Sequence, residues 1–150
     1  MAAGDLEGMA QVRSAVATPI GADESVRGPE QARHVVEASA ADVLIVKPML
    51  AGGLRRSRQI VELALAAGLE ALVTSTIDAG VGVAAALHLA ATLPTPRACG
   101  LATAALLVDD LLTCPLAILD GAMHLPSGPG LGVALDTQAL ARYGGAWRTI

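Results

Sequence analysis

Four short apolar runs recur along this chain at a nearly fixed interval, and that rhythm limits the fold more than any other feature. They are Pro19-Ile20-Gly21-Ala22, Asp42-Val43-Leu44-Ile45-Val46-Lys47, Ala71-Leu72-Val73-Thr74-Ser75 and a weaker Ala98-Cys99-Gly100-Leu101. Their ends fall near positions 22, 47, 75 and 100, giving intervals of 25, 28 and 25 residues. Such an interval holds one strand, one helix and two short connections. The second and third runs are continuously apolar rather than alternating, which is how strands covered on both faces read.

The segments between them carry helical signals. Pro29-Glu30 opens a helix through Ala32, Val35, Val36 and Ala38, with proline in a first-turn position where its missing N–H costs little. From Leu54 to Ala67, the residues Ile60, Val61, Leu63, Ala64 and Ala67 share one face, and Arg55, Arg56, Arg58, Gln59 and Glu62 lie mostly on the other. Gly68 then marks a stop. The stretch Ala79 to Leu93 is apolar nearly all round and is expected to be well buried. Ala104 to Leu112 predicts a fourth, shorter helix ending before Pro115, and Asp5 to Val16 a helix ahead of the first strand.

Strands alternating with helices imply a parallel sheet with right-handed crossovers. Four such units are half of a (β/α)8 barrel of the TIM type, which takes about 200 to 250 residues when whole; an open four-stranded sheet is the competing geometry. After Pro115 the rhythm breaks. Leu116 to Leu119 reads as a strand, Leu125 to Gly132 as a Gly/Pro-rich turn, and Thr137 to Tyr143 as a last helix. The expected division is therefore an α/β half-barrel over 1–115 and an extension over 116–150 that packs on it.

Composition narrows the function. A net charge of -4 argues against a nucleic-acid partner, which needs a basic face. With one Trp, one Tyr and no Phe, the core has to be aliphatic. Two cysteines are too few for a disulfide framework or a zinc site. The longest membrane candidate, Ala79 to Leu93, falls short of the roughly 18 to 20 apolar residues of a span. No basic segment precedes an apolar stretch at the N-terminus, so a cytoplasmic protein without a membrane partner is expected.

Among ten basic residues the sole lysine, Lys47, ends the most apolar strand, where a barrel delivers side chains to its active-site face. Desolvation there could lower its pKa and suit it to acid, base or electrostatic work. The other reading is a strand-end lysine that escapes to solvent. Asp23-Glu24-Ser25 occupies the matching point of the preceding strand. Its carboxylates suit Mg²⁺, which takes one or two of them plus substrate oxygens, or they cap the next helix. Ser75-Thr76-Ile77-Asp78 leads into the buried helix, whose free N–H groups would favour an anionic ligand group. Gly80, Gly82 and Ala85 match a dinucleotide fingerprint in form, but the acidic residue about 20 positions on is missing. Close helix–strand packing explains Gly82 as well. His34, His88 and His124 show no ligand spacing, and Cys99 reads as a small buried hydrophobe.

Taken in order, these strand ends resemble the enolase superfamily in its muconate-lactonizing-enzyme-like branch. Pro19 to Ser25 resembles the "PIAADES" end of the fifth barrel strand, and Val46 to Leu54 the sixth-strand lysine motif. Thr74 to Gly82 is similar to the seventh-strand element. Ala98 to Thr103 is similar to the eighth strand of o-succinylbenzoate synthases, and Pro129 to Val133 to the C-terminal turn. The resemblance runs from about Leu6 to Gly145. It implies a Mg²⁺-dependent enzyme that removes the proton α to a carboxylate of a small substrate. In o-succinylbenzoate synthase the resulting carbanion then loses water, within menaquinone biosynthesis. By position, Asp23 is implied as a metal ligand, Lys47 as the lysine facing the enediolate and Glu24 as a neighbour supporting the metal carboxylate. Ser75, Asp78, Gly100 and Leu101 are implied as substrate contacts.

Complete relatives also have an N-terminal lid domain and four earlier strands, which carry a Lys-x-Lys base and two more metal carboxylates; these are absent here, so the implied Mg²⁺ site is incomplete. The expectation is an o-succinylbenzoate-synthase-like lyase fragment that is inactive alone. A dipeptide epimerase, N-acylamino-acid racemase or muconate cycloisomerase remain as alternatives in the same class. A second class is a non-catalytic half-barrel that self-associates, whereas the lyase fragment would be truncated or await its missing N-terminal half. A third is an open-sheet nucleotide binder using Gly80 and Gly82.

Overall fold

A computed structural model describes residues 2–95 and 97–145; the end of the expected extension, 146–150, lies outside them. Helix α1 (Leu6–Ala15) is capped by Asp5, whose carboxylate accepts from the Gly8 N–H at 2.9 Å. Strand β1 (Gly21–Ala22), helix α2 (Pro29–Glu37) and strand β2 (Val43–Val46) follow. A four-residue helix α3 (Pro48–Ala51) comes next, then α4 (Leu54–Ala66), β3 (Glu70–Val73) and α5 (Gly80–Ala90).

The three strands form one parallel sheet in the order β1-β2-β3. Gly21 pairs with Val43, and Val43 to Val46 pair in step with Glu70 to Val73. Side chains alternate across such a sheet. Ala22, Leu44, Val46, Ala71 and Val73 point into the helix layer and are buried, against Ala32 and Val35 of α2, Ile60 and Ala64 of α4 and Val83 of α5. Val43, Ile45 and Leu72 lie on the opposite face and are only half-buried. In a closed barrel that face is the interior.

The fourth apolar run joins the sheet through one bridge, Gly100 beside Thr74, with the Ser75 N–H donating to Gly100 O at 2.9 Å. The expected helix over Ala104 to Leu112 is not formed. A 3₁₀ turn spans Ala102–Leu106, and beyond it the chain bends irregularly up to Leu112. The reason is tertiary: Leu112 pairs antiparallel with Leu135, Thr113 N–H donates to Ala134 O at 3.0 Å, and Leu112 becomes buried. A helix there would have offered Leu106 and Val108 no core, and both are exposed in this segment.

Two further elements depart from the sequence reading. Helix α3 turns the chain immediately after Lys47 and ends at Gly52 and Gly53, with φ of 85° and 98°, a region that glycine enters freely. Residues 118–123 form a hairpin, β4 (Ile118–Leu119) with β5 (Ala122–Met123), rather than a single strand. Its turn holds Asp120 and Gly121, both at positive φ, as tight hairpins prefer. Leu116 and Met123 pack on the edge of the core, and α6 (Thr137–Tyr143) follows. His88 Nε2 lies 3.1 Å from Leu131 O and ties α5 to the Gly/Pro-rich turn. Among the described residues no helix is long and apolar enough to cross a membrane.

Candidate active site

Because the strands are parallel, their C-terminal ends open on one rim. Asp23-Glu24 follows β1, Lys47 follows β2, Thr74-Ser75 follows β3, and Gly100-Leu101 ends the fourth run. The in-register pairing of β1 and β2 sets Lys47 against both acids: its Nζ lies 2.6 Å from Asp23 Oδ1 and 3.0 Å from Glu24 Oε1. The lysine side chain is 15% exposed, whereas those of Asp23 and Glu24 are 47% and 55% exposed. Burial pulls the ammonium's pKa down, but the hydrogen bonds to Asp23 and Glu24 outweigh it and hold the pKa above its ordinary value. Lys47 is therefore a cation here, not the neutral amine that desolvation alone would favour.

Ser75 is buried and committed to the neighbouring run. Its hydroxyl donates to Gly100 O at 3.1 Å and lies 2.7 Å from Thr103 Oγ1. Leu101 belongs to the core. Asp78 is buried in its own loop, where it accepts from the Thr76 N–H at 3.2 Å and from the Thr76 hydroxyl. Gly82 packs against it so closely that a Cβ there would fall 2.9 Å from Asp78 Cβ.

The site residue that the sequence reading did not single out is Thr74. Since Val46 pairs with Val73, the next step of the register sets Thr74 beside Lys47, and its N–H donates to Val46 O at 3.0 Å. Its hydroxyl oxygen is buried and has no hydrogen-bond partner among the described residues. Gly100 flanks it on the other side, where a Cβ would come 3.0 Å from Thr74 Cγ2. The row Lys47, Thr74, Gly100 thus crosses the inner face. The period-two pattern of the strand carries that signal, since Thr74 shares a face with Leu72.

The start of α5, expected to be open to an anion, is already filled. Asp110 Oδ1 accepts from the Gly80 N–H at 2.6 Å and from the Leu111 N–H at 2.7 Å. Gly80 is also packed directly against Asp110 and Leu112. The protein's own carboxylate occupies the place a phosphate would take, which removes the basis for the nucleotide-binding reading.

Comparison with known proteins settles the ancestry. A family model described as enolase C-terminal domain-like matches residues 1–139. The chain belongs to the enolase superfamily. It is 38% identical over 139 residues to muconate cycloisomerase 1 of Rhodococcus opacus, covering 92% of this chain and 37% of that protein. It is 42% identical over 116 residues to the o-succinylbenzoate synthase of Thermobifida fusca, covering 77% and 36%. The crystal structure of 2-chloromuconate cycloisomerase from Rhodococcus opacus superposes with a TM-score of 0.89 at 35% identity, over 95% of this chain and 39% of that one. The chain spans little more than a third of the length of these relatives, and the matched part is the C-terminal half of the barrel.

Enolase-superfamily enzymes use Mg²⁺. The donor set of this chain does not by itself fit the ion. Asp23 and Glu24 both pair with Lys47, and among the described residues no group of three or more His, Cys, Asp or Glu could hold a metal.

Proposed function

We propose that this chain supplies the lysine-bearing half of an o-succinylbenzoate-synthase-like active site, which acts on a small carboxylate substrate by α-proton removal and dehydration. The carrying observation is Lys47, an ammonium at a strand end whose side chain is 15% exposed, in register with Thr74 and Gly100 on the inner face. A cation so placed stabilises negative charge that develops on a substrate carboxylate, and a site with little water strengthens that effect. Thr74 stands beside Lys47 with a buried, unpartnered hydroxyl, and Gly100 lets the fourth run pack directly against it. Support for this member of the family comes from the Ala98 to Thr103 stretch and from the identity to the Thermobifida fusca enzyme.

The described residues supply neither a base facing Lys47 nor further carboxylates beside Asp23 and Glu24. The test is to refold it with the lid domain and first half-barrel of the Thermobifida fusca enzyme and assay dehydration with Mg²⁺. The chain alone is expected to give no turnover and the complex measurable turnover that Lys47→Ala abolishes. A lone chain as active as whole enzymes would overturn this reading. A complex that cycloisomerises muconate but does not dehydrate would favour a second reading, which the longer match to muconate cycloisomerase 1 supports.

A further inference from the structure

The cation that Asp23 meets in this chain is an ammonium. Lys47 reaches Asp23 and Glu24 together because β1 and β2 end side by side, and Pro48, buried at the start of α3, fixes where the lysine leaves the sheet. The two acids face solvent while the lysine lies beneath them, so a hydrated ion could approach from outside. It would arrive close to a charge of its own sign. Two carboxylates against one ammonium leave a single net negative charge. That is a weak inducement for Mg²⁺, which gives up its water reluctantly.

We propose that Lys47 is the resident cation of the Asp23–Glu24 pair, and that a divalent metal reaches Asp23 only when the ammonium moves away. The lysine then has two stations: clasped to the acids while the metal is absent, and released from them when further carboxylates bring a metal in. The clasp is a property of these three side chains and does not depend on which reaction the completed site performs.

The test uses Mn²⁺ alone as the probe, with the free ion followed by its paramagnetic resonance, on the native chain, Lys47→Met and Lys47→Met/Asp23→Asn. The native chain is expected to leave Mn²⁺ free. Lys47→Met should bind at least about tenfold more tightly, since a like charge has been removed. The double variant should return to the native level. Equal binding by the native chain and Lys47→Met overturns the proposal, as does an absence of gain in Lys47→Met. If circular dichroism shows that Lys47→Met is unfolded, the native chain decides the matter. With about 10 mM Mg²⁺ its melting temperature should stay unchanged, because a ligand that does not bind does not stabilise. A rise that Asp23→Asn abolishes overturns the proposal.

Discussion

Single side chains here are tuned by competing forces, and the sign of the outcome follows from which one wins. Lys47 is protonated more readily in the folded chain than when unfolded, so the stability it contributes is present below its ordinary pKa and lost as pH rises through the folded value. Urea unfolding followed from about pH 10 upward should show a steeper loss in the native chain than in Lys47→Met. Asp42 shows the reverse. The Ile20 N–H, at 2.8 Å, and then the Arg13 guanidinium, at 2.7 Å, hold its carboxyl below the ordinary carboxylate range. Its contribution is present above that range and lost as pH falls through the lowered value. Asp42→Asn should flatten the acid limb of a melting-temperature profile taken from pH 7 down to about pH 3. The position of Lys47 was legible in the sequence because a lone lysine closing an apolar strand stands out. The sign of its pKa shift was not, since it depends on Asp23 and Glu24 coming within reach across the strand pairing.

Among the elements, the first three strands and the helices between them could be read from hydrophobic period and from Pro and Gly punctuation, because local pattern and tertiary burial agree there. They disagree after Gly100. The Ala104 to Leu112 stretch has the composition of a helix, yet Asp110 bonds the start of α5 and Leu112 pairs with Leu135. Neither partner is visible from within the segment. That makes Asp110 a cap supplied from 30 residues away to a helix with no side-chain cap of its own. Asp110→Ala should cost about 0.5–2 kcal/mol in chemical unfolding, the usual range for a lost N-cap. Gly80→Ala tests the same junction sterically, since its Cβ would meet Asp110 and Leu112, and overpacking of this kind costs about 1–3 kcal/mol.

At the scale of the whole molecule, β2 is the only strand flanked on both sides by named strands, and the inner sheet face is only partly covered among the described residues. Local opening should follow that arrangement. Amide exchange of the folded chain is expected to be slowest at Leu44 to Val46 and faster at Gly21 and Ala22 on the edge; uniform protection across the sheet would contradict the open arrangement. The same chain holds a single lysine, seated on its two acids at the rim. Reductive methylation with isotopically enriched formaldehyde would therefore place one side-chain reporter in the protein, already at the spot of interest. Its carbon resonance could then tell, without any substrate, whether the clasp is shut.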